Sequence, residues 1–143
     1  MRFVDTNVLL YSVSKDPKEA DKAAVANDLL LNSTDLGLSV QVLQEFYVQA
    51  THAARQQRLS HDQAVAMIES WLRFPVQEMT LPILRSALDC AARFQVSYWD
   101  AAIIEAARVL HCRTVLSEDL SDSQNYNGVR IINPFGSRRG KSR

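Results

Sequence analysis

Short apolar runs alternate with longer amphipathic segments along this 143-residue chain. The short runs have the length of buried strands, and in the longer segments apolar residues recur at the spacing of one helix face. Strands that alternate with helices form a parallel sheet against which the helices pack. The sequence therefore predicts an α/β fold, and a chain of this length normally forms one domain.

Five short strands and the helices between them can be placed on the sequence. Strands are predicted at residues 1–4, 36–39, 76–79, 114–116 and 129–132. Helices are predicted at about residues 17–32, 40–50, 60–72, 80–94 and 101–111. The capping residues that favour helix starts at these places are Asp16, Ser39, Ser60, Thr80 and Ser97.

The overall charge of the chain gives no indication of a partner. Sixteen basic residues balance sixteen acidic residues, so the formal net charge is zero. Nucleic-acid-binding domains are usually basic, and any contact with RNA would therefore have to be local. Cys90 and Cys112 lie in apolar patterns without metal-ligand spacing, and we interpret both as buried free thiols.

The N-terminal segment does not resemble a signal peptide. Its apolar run is short and is interrupted by Asp5 and Asn7, and it lacks a basic start and a cleavage site. No stretch of the sequence is long and apolar enough to span a membrane. We therefore expect a cytoplasmic protein, in which free cysteines stay reduced.

Four acidic residues fall where a parallel sheet presents its functional edge. Asp5 follows the first strand and Asp119 follows the fourth, and ligands of open parallel sheets bind outside the carboxyl ends of the strands. Glu45 and Asp100 lie in early turns of helices that begin near this edge. Carboxylates that converge repel one another unless a cation neutralises them. Hard oxygen ligands in this number suit Mg²⁺ or Mn²⁺.

A metal site of this kind predicts hydrolysis of a nucleic-acid backbone. A bound divalent ion activates a water molecule and screens the charge that builds on a phosphodiester in the transition state. No arrangement of histidine, cysteine or serine in the sequence competes as a nucleophile. A single acid at a strand end is often only a helix cap, so this prediction depends on the joint placement of all four acids.

Four segments, in order along the chain, resemble the signature blocks of PIN-domain nucleases. These segments are Phe3–Leu10, Ser39–Glu45, Ser97–Ala107 and Leu116–Leu120. The closing segment Val129–Phe135 resembles the end of the VapC-type toxins of that family. The resemblance implies a three-layer α/β domain at residues 1–135, in which helices flank a central parallel sheet of about five short strands. A basic and flexible tail would follow at residues 136–143.

The resemblance also implies roles for individual residues. It makes four acids the catalytic ligands of Mg²⁺ or Mn²⁺, namely Asp5, Glu45, Asp100 and Asp119. Thr6, Asn7 and Ser117 would hydrogen-bond a carboxylate or a metal-bound water. Asp122 is a candidate for holding a second metal, although its position in a polar loop argues against that role.

The same resemblance implies the toxin of a toxin–antitoxin pair. Toxins of this type cleave RNA, commonly tRNA or ribosomal RNA, usually form homodimers, and are silenced by a cognate antitoxin protein. An amphipathic antitoxin segment would cover a groove between helices and present an arginine to the acids. We place this groove near Phe46 and Trp71.

Three alternatives stay open. A catalytically inactive module of this fold would bind RNA or protein without cleavage, although a pure binder gains nothing from acids that repel one another. A DNA-cleaving nuclease would use the same acids. A phosphatase of another doubly wound fold would use Asp5 as a covalent nucleophile, but Asn7 stands where a second aspartate is expected.

Two groups of basic residues have open roles. Arg55 and Arg58 lie between two predicted helices, near His52 and His61. The C-terminal tail carries Arg138, Arg139, Lys141 and Arg143. Each group either contacts RNA phosphates, which is a nonspecific and salt-sensitive interaction, or only keeps its segment solvated.

Overall fold

A six-stranded sheet forms the centre of residues 1–136, the part of the chain that the computed structural model describes. The strands are β1 (Arg2–Val4), β2 (Leu36–Ser39), β3 (Val76–Gln77), β4 (Thr114–Leu116), β5 (Asn125–Tyr126) and β6 (Val129–Ile132). Their order is β3-β2-β1-β4-β6-β5, and every pair is parallel except β5 with β6. The five predicted strands are confirmed, and β5 was missed. The predicted tail lies outside the described residues from residue 137 onward.

Within residues 1–136, six α-helices flank the sheet in a three-layer α/β arrangement. They are α1 (Thr6–Ser12), α2 (Ala20–Asn32), α3 (Val40–Ala50), α4 (His61–Trp71), α5 (Leu81–Phe94) and α6 (Tyr98–Val109). Side chains of Ser39, Ser60, Thr80 and Ser97 cap α3 to α6 as predicted. None of these helices has both the length and the apolar character needed to cross a membrane.

Two helices differ from the sequence-based expectation. The helix predicted from residue 17 starts with a 3₁₀ turn, and α2 itself begins at Ala20. The short helix α1 was not predicted at all. Val8 and Leu9 are fully buried, and Thr6 and Asn7 are nearly so. The helix therefore lacks an exposed polar face opposite its apolar face, which is the pattern by which a helix is recognised in a sequence.

The strand order creates a crevice beside β1. From β1 the chain builds β2 and β3 on one side and then crosses to β4 on the other side. Ligands bind outside the carboxyl ends of strands at such a reversal of order. Val4 pairs with Leu116, and the Asp5 N–H donates to the Leu116 carbonyl at 3.0 Å. The residues that follow β1 and β4 therefore meet at this crevice.

The most deeply buried helix is α6, which packs against α5. Residues 101–107 are all buried, and four of these seven are alanines, whose small side chains allow close approach. The only acid among them, Glu105, is 6% exposed and accepts a hydrogen bond from Arg108 Nε at 2.9 Å. Arg108 also donates to the carbonyls of Tyr126 and Asn127. Arg108, held by Glu105, therefore ties α6 to the β5–β6 turn.

The antitoxin groove predicted near Phe46 and Trp71 is wrong in its placement. Phe46 is fully buried and Trp71 is 2% exposed. Their rings pack edge to face, with centroids 4.8 Å apart. The apolar spacing that suggested a surface groove therefore produces a core contact between α3 and α4, which leaves neither ring available to a partner.

Both cysteines are buried free thiols, as predicted. Burial raises the pKa of the Cys90 thiol and of the Cys112 thiol to about 11 in each case. Thiols with such pKa values stay protonated near neutral pH and are poor nucleophiles and metal ligands. The two side chains therefore act as small apolar groups in the core.

Candidate active site

Asp5 is the most buried acid at the crevice, with 5% of its surface exposed. It caps α1, since its Oδ1 accepts the Thr6 N–H at 2.7 Å. Its Oδ2 accepts the Ser117 hydroxyl at 2.7 Å and the Asn7 Nδ2 at 3.3 Å. Burial raises the pKa of Asp5 to about 6, and the charges of Asp119 and Glu45 also raise it, while the hydrogen bonds oppose the shift.

The hydroxyl group of Ser117 connects the end of β4 to the end of β1. It is fully buried and donates its hydroxyl proton to Asp5. Its Oγ also accepts the Asn7 Nδ2 at 3.2 Å and the backbone N–H groups of Asp119 and Leu120 at 3.1 Å. The loop after β4 is thus folded around this hydroxyl, which brings Asp119 back toward Asp5.

Asn7 bridges the two aspartates. Its Nδ2 lies 3.3 Å from Asp5 Oδ2 and 3.3 Å from Asp119 Oδ2. Its Oδ1 accepts the backbone N–H of Glu118 at 3.1 Å, which fixes the orientation of the amide. One side chain of α1 therefore holds the carboxylates of two separate strand ends next to each other.

Glu45 reaches the crevice from α3 and is held at both oxygens. The Thr6 hydroxyl donates to Oε1 at 2.6 Å, and Gln41 Nε2 donates to Oε2 at 3.2 Å. Gln41 also donates to the Trp99 carbonyl at 3.1 Å and so links α3 to the start of α6. Sequence reasoning missed Gln41, although residues four apart on a helix share a face.

Asp100 completes the group from the first turn of α6. Its backbone N–H donates to the capping Ser97 Oγ at 3.1 Å. Burial raises the pKa of Asp100, a hydrogen bond from the Ser97 side chain opposes the shift, and the charges of Glu45 and Asp119 add to it. Glu45 and Asp119 act on Asp5 in the same way. Glu45 and Asp119 are thus within electrostatic reach of both Asp5 and Asp100.

A model of the PIN domain matches residues 2–121 of the sequence. This chain belongs to the PIN-domain family. The match covers β1 to the loop after β4, and with it all four acids and the three polar residues that bond to them. A search of curated proteins finds no match to the chain.

The PIN domain is similar in fold to solved structures of toxins. VapC20 of Mycobacterium tuberculosis, a toxin that cleaves the sarcin–ricin loop, has a TM-score of 0.65 at 19% identity over 83% of this chain and 90% of that one. A toxin–antitoxin complex from Klebsiella pneumoniae has a TM-score of 0.68 at 15% identity over 94% and 98%. DNA-bound VapBC from Salmonella typhimurium has a TM-score of 0.65 at 19% identity over 93% and 97%.

Two further acids of this PIN domain serve other contacts. The Glu118 carboxylate accepts the Tyr11 hydroxyl and forms an ion pair with Lys22 of α2. No signal in the sequence indicates this network, because its members are about a hundred residues apart. Asp122 Oδ1 accepts the Asn133 N–H at 2.9 Å and ties its loop to the end of β6. A second-metal role for Asp122 stays a prediction.

The donor set of the PIN domain fits a hard divalent cation. Among residues 1–136, no three acidic, histidine or cysteine side chains are grouped closely enough to hold an ion together. Mg²⁺ usually keeps several waters and binds to only one or two carboxylates. Asp5 and Asp119, which share the Asn7 amide, supply such a pair. Burial is the main cause of the raised pKa values of Asp5 and Asp100, and a cation there would offset both the burial and the smaller repulsion from the neighbouring acids.

Proposed function

We propose that this PIN domain is a metal-dependent endoribonuclease that hydrolyses RNA phosphodiester bonds with Mg²⁺ or Mn²⁺. The observation that carries the proposal is the convergence of Asp5, Glu45, Asp100 and Asp119 at the carboxyl edge of the sheet. Burying carboxylates beside one another is unfavourable because their charges repel. A divalent cation bound to them would offset this repulsion and would also bind a phosphodiester. The family and the toxin neighbours support the nuclease class.

The protein residues of the site orient ligands and hold charge. Bound Mg²⁺ or Mn²⁺ supplies an activated water and neutralises charge on the phosphate. Asp5 and Asp119 would hold the ion, and the Asn7 amide keeps their oxygens together. Thr6 fixes the orientation of Glu45. Partners that orient ligands in this way typically change metal affinity or activity by about 10- to 100-fold when they are removed.

The test compares RNA and DNA of the same sequence as substrates of the purified protein, freed of any antitoxin. We expect cleavage of RNA in Mg²⁺ or Mn²⁺, no cleavage in EDTA, and recovery when Mn²⁺ is added back. Cleavage that persists in EDTA would contradict the metal requirement. Preferential cleavage of DNA would favour the DNA nuclease, and RNA binding without any cleavage would favour the inactive module.

We also propose that this ribonuclease is the toxin of a toxin–antitoxin pair and acts in the cytoplasm on tRNA or ribosomal RNA. The Klebsiella and Salmonella neighbours are complexes of this kind, which supports a cognate antitoxin as partner. A homodimer is the proposed assembly. Apolar side chains that are more than half exposed, including Val48, Leu81, Leu88 and Trp99, supply surface for such partners.

The toxin role predicts that expression of the chain without an antitoxin slows growth. Asp100→Asn is expected to relieve this effect, because the metal site loses a charge while the Ser97 cap, which uses the backbone N–H of residue 100, is retained. Growth curves of matched expression strains measure the difference, with protein levels checked by immunoblot. Equal toxicity of the variant at equal abundance would count against catalysis as the cause.

A further inference from the structure

An arginine outside the acid cluster lines a cavity that includes part of the candidate active site. This cavity has a volume of about 170 Å³, and its walls include Asn7 and Asp119. Arg55, from the loop between α3 and α4, forms part of the same wall together with Glu19. Arg55 therefore lies beside the metal-binding edge although it is far from Asp5 and Asp119 in sequence.

The cavity continues away from the acids into a second one. This neighbouring cavity has a volume of about 250 Å³ and is also lined by Arg55 and Glu19. Its other walls include Lys15, Asp16, Gln56 and Gln57. The two cavities share Arg55 and Glu19 as lining residues, and we interpret them as one trench that runs from Asp119 past Arg55 to Lys15 and Gln57. Arg55 marks the place where the two parts meet.

The guanidinium of Arg55 is available for a ligand. Within residues 1–136, Arg55 forms no ion pair. The acids nearest to it along the trench have other contacts, since Glu118 binds Lys22 and Tyr11, and Glu19 Oε1 accepts the Ser14 hydroxyl at 2.6 Å. Arg55 is half-buried, and a guanidinium has a planar fork of donors that matches the oxygens of a phosphate.

We propose that Arg55 binds a backbone phosphate of the RNA next to the scissile bond and so positions the strand along the trench. This inference rests on the proposed ribonuclease function and names a substrate-binding residue for it. Asp5 and Asp119 would hold a cation at the scissile phosphate, and Arg55 binds the neighbouring phosphate on the Lys15 side. A phosphate contact sets the position of the strand without reading its bases.

Binding is measured with labelled single-stranded RNA and the inactive Asp100→Asn protein, with and without Arg55→Ala, over a series of salt concentrations. Arg55→Ala is expected to weaken binding roughly tenfold, as for loss of one charge-assisted hydrogen bond. The slope of log Kd against log salt should fall by about 0.7, the value for one phosphate contact on a single strand. Arg55→Lys, which keeps the charge, should retain the slope.

In the active protein, Arg55→Ala should raise KM roughly tenfold and leave kcat within about twofold, because a contact made equally in the ground and transition states affects binding alone. Arg58→Ala is the matched control, since Arg58 belongs to the same loop and lines neither cavity. The alanine variant keeps the backbone bond from the residue 55 N–H to the His52 carbonyl, at 3.0 Å. Its thermal unfolding should therefore match the wild type.

The outcomes separate this inference from the proposed function. Wild-type protein that cleaves no RNA in Mg²⁺ or Mn²⁺ refutes the proposed function, whatever Arg55 does. Cleavage by the wild type, together with unchanged KM and salt slope in Arg55→Ala, overturns the role of Arg55 alone. An equal effect of Arg58→Ala would overturn it as well, since it would show a general charge effect. A loss of antitoxin inhibition with unchanged RNA binding would assign Arg55 to a protein partner.

Discussion

Replacing Asp5 with asparagine is expected to lower the rate of RNA cleavage about a thousandfold. A catalytic cation stabilises the transition state by several kcal/mol, and each 1.4 kcal/mol or so corresponds to a factor of ten in rate. Asp5 is buried beside Asp119 and within reach of Glu45, so loss of its charge removes the most enclosed ligand of the cluster. The measurement is the single-turnover cleavage rate of a labelled RNA in saturating Mg²⁺.

The control for this substitution is Asp89→Asn, which makes the same chemical change at an exposed position of α5. It should cleave at the wild-type rate. Asparagine is also a good helix cap, so α1 should still form in Asp5→Asn, as circular dichroism would show. Cleavage by Asp5→Asn within tenfold of the wild type would mean that Asp5 serves only as a cap.

Replacing Arg108 with leucine is expected to reduce the free energy of unfolding by about 3 kcal/mol. Removing one partner of a buried ion pair leaves the other charge uncompensated, which costs about 3 to 5 kcal/mol. We expect a loss at the lower end of this range because only one partner is well buried. The Arg108 side chain is 34% exposed, whereas that of Glu105 is 8% exposed. Urea denaturation followed by circular dichroism measures the change.

A second substitution isolates the cause of that loss. Glu105→Gln removes the buried charge, so the double variant with Arg108→Leu should be more stable than Arg108→Leu alone. The coupling in this double-mutant cycle measures the pair itself. A loss below about 1 kcal/mol in Arg108→Leu, the size of a surface ion pair, would show that water reaches Glu105 and that the pair does not secure the β5–β6 turn.

The main elements of the fold were predictable because each has a local signal. The capping serines before α3, α4 and α6 have hydroxyl oxygens that accept backbone N–H groups three residues later, as their sequence positions predict. The exceptions are the elements without such a signal. Helix α1 has no exposed residue, so its polar residues do not form a solvent face, and it is capped by Asp5 itself. Strand β5 has two residues and pairs only with β6.

The candidate site was predictable in its acids but not in their arrangement. The rule for parallel sheets places Asp5 and Asp119 at the same edge, and the structure has them there. The contacts that hold them depend on residues distant in sequence, such as the bond from Asn7 to Asp119, which spans 112 positions. Gln41 was within reach of sequence reasoning, because its partner Glu45 lies one helical turn away.

Calorimetric titration of Mn²⁺ into the metal-free protein tests most directly the central claim that a divalent cation binds at Asp5 and Asp119, beside Glu45 and Asp100. We expect saturable binding to the wild type, equal binding to Asp89→Asn, and affinity reduced at least about tenfold in Asp100→Asn, as for loss of a group that interacts with a metal site. No binding to the wild type, or the same affinity in Asp100→Asn, would contradict it.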